Sequence, residues 1–285
     1  MPPKKKRLYD ALPSKVFVTG GSGFIGSHVV RRLNEEGCEV VCLILPHDAA
    51  PALVGVPHQR VDGDLSDPKF LQKHMKGCGL VIHLAAIYAI WLERPELMFE
   101  VNVEGTRHIM TAAKKAGVKR VVHTSSIAAV GVRPGTESAD ESTAFNDWNN
   151  PDPYVLSKYI SELEALAANG DDLEVVAVNP AFPFGQNDLA PTPTGRMIVN
   201  AMTGKMPFIV NGGFNAVYVG DVAEGHLLAA VKGQPGERYL LSGHNVSYIE
   251  FGRKLAELLG RNPPKLTIPT KAAKTLGWMA EKFAD

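Results

Sequence analysis

The chain has 285 residues, 45% hydrophobic and 21% charged, enough to bury the core of one large domain or of a domain with a smaller appendage. Lys plus Arg and Asp plus Glu both number 30, so net charge offers no attraction to nucleic acid or to an acidic membrane surface. No apolar run approaches the roughly 20 residues that would span a bilayer, and three cysteines (Cys38, Cys42, Cys78), without a metal-ligand spacing or a signal peptide, fit a reducing, cytoplasmic setting with no metal.

Residues 1–14 read as a solvated tail; its basic run Lys4–Arg7 has a nuclear address or a polyanion contact as the rival reading. The short β-branched run 15–19 predicts a strand, and a glycine turn leads from it into a helix over 24–36 with apolar residues at helical spacing. Further strands are predicted at 39–45, 59–62, 80–84, 119–124 and 173–179. Long helices are predicted over 95–116, closed by Gly117, and over 152–169, closed by Gly170. Nearly all-apolar strands alternating with helices imply an α/β fold: a Rossmann-type, doubly wound parallel sheet over 15–180, covered on both faces. After Pro180 the rhythm changes. The segment 181–195, rich in Pro, Gly and Thr, reads as loop; helices are expected at 196–204, 221–232 and 248–259, with a strand near 238–242. Residues 181–285 are thus expected to form mainly a small substrate-binding lobe, with some segments returning to the sheet.

The turn "TGGSGFIG" (19–26) places Gly21, Gly23 and Gly26 in the dinucleotide-binding spacing between a strand and a helix. Glycine allows a tight turn and close approach of a pyrophosphate, and the helix N-terminus offers free N–H groups. An acidic residue at the end of the second strand would hold the adenosine ribose of NAD. Here Ile44 and Leu45 stand where an Asp or an Arg is expected, so NAD and NADP stay equally open. In "GDLSDP" (63–68), Asp64 is placed to accept from the adenine amino group and Leu65 to pack on its ring, while Ser66 or Asp67 caps the next helix.

Seven segments then occur in a telling order: "VTGGSGFIG", "GDLSD", "HLAA" (83–86), "NVEGT" (102–106), "TSSIAAVG" (124–131), "YVLSK" (154–158) and "VNPAFPFG" (178–185). As an ordered set they resemble the extended short-chain dehydrogenase/reductase superfamily, also called the NAD-dependent epimerase/dehydratase family. Within it, "PTPTGRMIV" (191–199) and "DVAEGHLLA" (221–229) look most like the dihydroflavonol reductase-like and hopanoid-associated sugar epimerase branch. Members usually continue some tens of residues further, so an incomplete end at Asp285 is expected.

The resemblance implies the roles. Tyr154 matches the catalytic tyrosine, Lys158 the lysine that holds the nicotinamide ribose, and Ser126 the hydroxyl that fixes the substrate oxygen. A free phenol has a pKa of about 10, and a neighbouring ammonium is expected to lower it toward working pH. The cofactor cleft is expected to comprise Gly20, Gly21, Ser22, Gly23, Phe24, Ile25 and Gly26, then Asp64 and Leu65, with Leu84, Ala85, Ala86, Thr124, Lys158 and Pro180 at the strand ends. Ser125 is expected to support a strand end, Asn102 to tie its helix to the active-site strand or to act directly, and His83 to be a satisfied core histidine. Family members commonly dimerise through helices equivalent to 95–116 and 152–169, which implies a homodimer.

The reaction class follows from hydride transfer between nicotinamide and a carbinol or carbonyl carbon, with Tyr154 exchanging the proton. A dehydratase needs an Asp–Glu pair after the strand-end hydroxyl; Ile127, Ala128 and Ala129 stand there instead. Tyr88, Trp91, Phe182, Phe184 and Phe214 are expected to line an aromatic pocket with Ser126, and Arg196 to hold an anionic or hydroxylated group. That wall favours reduction of a carbonyl, or oxidation of a secondary alcohol, on a small apolar or aromatic substrate. The alternatives are a sugar epimerase with tightly bound NAD and a non-catalytic dinucleotide sensor.

Overall fold

The computed structural model describes residues 9–89, 92–135, 137–150, 152–205, 208–262 and 266–268. The basic run Lys4–Arg7 and Trp91 lie outside the described residues. The first half alternates as the apolar periodicity predicts: β1 (Lys15–Thr19), α1 (Phe24–Glu35), β2 (Glu39–Ile44), β3 (Gln59–Asp62), α2 (Pro68–Met75) and β4 (Leu80–His83). There follow α3 (Glu96–Phe99), α4 (Gly105–Ala116), β5 (Arg120–Thr124), α5 (Pro153–Ala167) and β6 (Glu174–Pro180). The strands form a seven-stranded sheet in the order β10-β6-β5-β4-β1-β2-β3, all pairs parallel, with β10 (Arg238–Leu241) returning from the far end of the chain to flank β6. Reading outward from β1, the order reverses between β1 and β4, which opens a crevice at the carboxyl ends of these two strands.

Why both faces are covered is visible in β1. Val16 and Val18 point into a core shared with Val29 and Leu33 of α1 and with Leu227, whereas Phe17 points into a second core with Leu71, Met75 and Ile109. Strand side chains alternate faces, so an unbroken apolar strand must be buried on both.

The long helix predicted over 95–116 is interrupted. Between α3 and α4 the backbone takes a π turn at Glu100–Glu104, stabilised where the Thr106 hydroxyl donates to the Asn102 carbonyl (2.6 Å). Apolar spacing does not encode such a widened turn. Gly117, at φ 76°, does close α4. Gly170 does not close α5: that helix ends on Ala168 in ordinary helical conformation, and Gly170 instead bridges Leu173. Asp67 caps α2 through Lys69 N and Phe70 N, while Ser66 bonds Asp64.

The segment expected to be loop contains β7 (Phe182–Phe184). Pro183 argued against a strand, but β7 is the edge of a three-stranded sheet, where a residue without an N–H is tolerated. After α6 (Pro193–Met202) and β8 (Phe208–Val210), β9 (Gly213–Tyr218) pairs parallel with β7 and antiparallel with β11 (His244–Ser247). Between β9 and β10, α7 (Val219–Lys232) packs on α1 and the sheet; α8 (Tyr248–Leu258) follows β11, and β12 (Leu266–Ile268) pairs with β8. Phe182, Phe184, Phe214, Tyr248 and Phe251 form one aromatic cluster across this lobe, with ring centroids 5.1–5.7 Å apart. No described helix is long and apolar enough to cross a membrane.

Candidate active site

The crevice is a cavity of about 530 Å³ reaching from the glycine turn to the start of α5. Gly20 leaves β1 at φ +69°, and a Cβ there would lie 2.6 Å from Ala85 N. A Cβ on Gly26 would lie 2.0 Å from the Gly20 carbonyl oxygen, so only glycine lets α1 start this close to the turn. α1 has no side-chain cap and no acidic residue in its first turn. Its N-terminus, with Gly20, Gly23, Phe24, Ile25 and Gly26 on the cavity wall, is a cradle fit for a pyrophosphate.

Of the other residues expected at the cofactor, Leu84, Ala86, Thr124, Lys158 and Pro180 line the cavity. Ala85 lies beneath Gly20 and donates its N–H to Thr19 Oγ1. Gly21 is buried with its α-carbon facing Cys42 and Val30, and Ser22 is half-buried; neither is on the lining. Asp64 and Leu65 are not brought to it either. Asp64 takes the N–H and hydroxyl of Ser66, which hold its carboxyl below the usual range, and Leu65 is buried against Gly105. At the end of β2, Leu45 is exposed and Asp48 accepts from Ala50 N (2.7 Å).

Tyr154, Ser126 and Lys158 share this cavity. Asp152 caps α5 by accepting from Tyr154 N (2.9 Å), and Pro153 is its first residue, so the tyrosine sits in the opening turn of the helix. Lys158, one turn on, is 3% exposed and its Nζ donates to the Thr124 carbonyl (2.7 Å). Burial lowers the lysine to about 8, against the carboxylate of Glu162, which pulls it up. The tyrosine departs from expectation. Burial pushes the Tyr154 phenol above its ordinary value, Tyr88 and Asp152 push it further, and a hydrogen bond with Ser126 works the other way. The Lys158 ammonium is spent on a carbonyl and does not bring the phenol down. Ser126 Oγ also accepts from Ala128 N (3.1 Å).

Tyr88 lies against Tyr154, ring centroids 4.6 Å apart. Asn102 explains how the loop carrying Tyr88 is held: its amide donates to the Ile87 carbonyl (3.1 Å) and to Ser157 Oγ (3.0 Å), and its carbonyl accepts from Ile87 N (2.7 Å). Asn102 thus ties the π turn to the β4 loop and to α5, with its side chain bonded to protein on both ends. Phe182 is on the cavity wall; Phe184 and Phe214 stand behind it in the aromatic cluster. Arg196, expected to hold an anionic or hydroxylated group, is instead off the lining and exposed, with Nε donating to the Pro191 carbonyl (3.2 Å). His83 is a satisfied core histidine between Thr19 and Thr106. Ser125, expected only to support the strand end, does so through its N–H to the Val178 carbonyl, and it also lines the cavity.

Sequence reading missed two carboxylates on the wall, Asp147 and Asp152. Asp152 had a visible signal, since an Asp before Pro opens helices. Asp147, in the long connection before α5, had none.

With this geometry in view, residues 16–242 match the NAD-dependent epimerase/dehydratase family. The chain belongs to that family. It is 40% identical over 276 residues to a putative dihydroflavonol 4-reductase of Synechocystis, covering 95% of this chain and 80% of the relative. It is 36% identical over 254 residues to sterol demethylase protein B of Methylococcus capsulatus, covering 89% and 77%. Among solved structures, the dTDP-glucose 4,6-dehydratase DesIV of Streptomyces venezuelae, with NAD bound, superposes with a TM-score of 0.78 at 25% identity, covering 90% of this chain and 84% of that one. This protein is therefore an NAD(P)-dependent enzyme of the extended short-chain type, and the glycine cradle is the part of the chain that fits the dinucleotide.

Proposed function

We propose that the protein is a reductase for an uncharged, ring-bearing carbonyl compound. The observation that carries this is the charge on the cavity wall: Asp147 and Asp152 line it, Lys158 is its one cation among the described residues, and Arg196 is turned away. A nucleotide-sugar diphosphate brought to this wall would meet two carboxylates with no guanidinium to pair with. Tyr88, packed against Tyr154, and Phe182 instead offer aromatic surface on the cavity wall. The names of these two relatives, a putative dihydroflavonol 4-reductase and a sterol demethylase protein B, support the same class.

When bound, the nicotinamide supplies the hydride to the carbonyl carbon. The chain supplies the proton. Burial keeps the Tyr154 phenol protonated at neutral pH, so it is a donor to the carbonyl oxygen, and Ser126 binds that oxygen and shares the phenol's hydrogen bond. Lys158, one turn on, has two further ammonium N–H groups beside the one given to Thr124, and these would donate to the ribose hydroxyls.

The test has two arms. Oxidation of NADPH or NADH is followed with a panel of alicyclic and aromatic ketones against UDP-glucose as control. The purified protein is also denatured and any released nucleotide identified. Turnover of ring ketones by a protein that carries no stoichiometric nucleotide supports the reductase. Stoichiometric NAD with sugar turnover replaces it with an epimerase, and cofactor binding without any turnover leaves a sensor. A homodimer through α4 and α5 is part of the same proposal, since Leu156 and Leu163 stand exposed on α5; a monomer by light scattering at micromolar concentration refutes it.

A further inference from the structure

Behind the cavity a buried ionic chain connects the last strand of the sheet to the site. Glu162 follows Lys158 by one helical turn on α5, and both are 3% exposed. Arg238, on β10, donates through Nη1 to Glu162 Oε1 (2.9 Å) and through its other nitrogens to the carbonyls of Glu141 and Thr143. Asn179, at the end of β6 and fully buried, donates through Nδ2 to Glu162 Oε2 (2.5 Å) and to the Ser126 carbonyl (2.9 Å). A buried carboxylate held from two sides is costly to assemble, and such an arrangement calls for a reason beyond stability.

The surroundings of Lys158 supply one. From β4 and β5 the rings of His83 and His123 face it; from α7, His226 reaches Thr124 Oγ1 (2.9 Å), next to the carbonyl that Lys158 bonds. All three histidines are buried and held below their ordinary value by burial, so all are uncharged at neutral pH. Tyr154, on α5 itself, is a neutral phenol there. Glu162 is the one opposite charge among these groups.

We propose that Glu162 is the counter-charge of the active-site lysine: a positioning residue, clamped by Arg238 and Asn179, that keeps Lys158 in its ammonium form within the buried site. The same clamp fixes the Ser126 main chain, so β10, contributed from beyond residue 180, sets both the charge and the geometry of groups carried by β5 and α5. The inference rests on the proposed site in that Lys158 is its lysine, but its test needs no substrate.

The test reads the lysine directly. In protein labelled with 13Cε-lysine, the Lys158 resonance is identified by its loss in Lys158→Met, and its titration is followed by NMR. In the native protein the midpoint is expected near 8. In Glu162→Gln it is expected to fall by about one pH unit or more, a tenfold loss of the ammonium-to-amine ratio at fixed pH. Glu162→Asp, which keeps the charge, is expected to restore most of the shift. A merely structural role gives the opposite sign, because loosening the helix admits water and moves the lysine up toward its ordinary value. Should Glu162→Gln fail to fold, Glu162→Gln with Arg238→Gln is compared with Arg238→Gln alone, so that only the carboxylate differs, and the midpoint is expected to be lower in the double variant by about one pH unit or more. A midpoint that stays put or rises in a folded variant overturns the proposal. Failure of ketone reduction would leave this titration readable, so the two readings stand or fall separately.

Discussion

Replacing Gly26 by alanine tests the cofactor cradle most sharply. Alanine is the better helix former, and in a helix interior the exchange would gain about 1 kcal/mol. Position 26 is different, because the new Cβ lands 2.0 Å from the Gly20 carbonyl oxygen and 2.8 Å from Gly21 Cα. Both obstacles are backbone. Gly20 cannot retreat easily, since it is held at φ +69° with Ala85 N beneath it. Overpacking of this kind costs about 1–3 kcal/mol, so the clash outweighs the propensity and the N-terminus of α1 must tilt away from the turn. The N–H groups that face the pyrophosphate then diverge, and a loss of about 1.4 kcal/mol in binding is a tenfold rise in Kd. We expect Gly26→Ala to weaken NADH or NADPH at least about tenfold, measured by cofactor fluorescence, with a lowered urea midpoint. Gly117→Ala is the control: its φ of 76° strains any side chain by about 1 kcal/mol, but nothing lies within 4 Å and it is remote from the cradle. It should lose stability and keep its cofactor affinity. Native affinity in Gly26→Ala refutes the cradle geometry.

Other outcomes follow from the same structure. Tyr154→Phe should cut ketone reduction by about 10²–10⁴-fold while leaving cofactor affinity within about twofold, as removal of a proton donor does; unchanged turnover would remove Tyr154 from the chemistry. Tyr88→Ala should cost about 2–10-fold in kcat/KM, the worth of one aromatic pair against Tyr154, and an unaltered value would mean the ring does not organise the site. Folding stability should fall with acid. His83 and His226 are held down to about 3 and about 4, and His123 well below its ordinary value, so between about pH 6.5 and pH 4 the unfolded chain binds protons that the folded one refuses. Stability is therefore full above about 6.5 and is lost as pH falls; at pH 5.5 His83 and His226 cost about 1.4 kcal/mol each, or about 3 kcal/mol together, as an upper bound, and His123 acts in the same direction. Urea midpoints that do not change between pH 7.5 and 5.5 would contradict the buried neutral assignment.

The ordered motifs and the apolar strands were legible because each rests on local chemistry. Val16, Phe17 and Val18 announce a strand buried on both faces, and the glycines at 21, 23 and 26 announce a turn open to a pyrophosphate. Asp152 and Pro153 announce a helix start, which places Tyr154 and Lys158 one turn apart without reference to any other segment.

What the tertiary structure alone decided concerns partners distant in the chain. Spacing suggested that Lys158 would lower the Tyr154 phenol, but the fold gives the ammonium to the Thr124 carbonyl and buries the phenol, so the effect runs the other way. Leu65 read as a base-stacking residue until packing showed it against Gly105, and Arg196 read as an anion holder until its guanidinium was found on a surface carbonyl. The π turn that directs Asn102 to Ile87 and Ser157 leaves no trace in apolar periodicity. Nothing in the sequence sets Glu162 apart, because its meaning depends on Arg238, 76 residues later, and on a sheet order that brings β10 beside β6. A sequence determines which side chains can share a strand face or a helical turn; which charges are desolvated, and by whom they are met, is settled only when segments far apart in the chain exclude water from the same place.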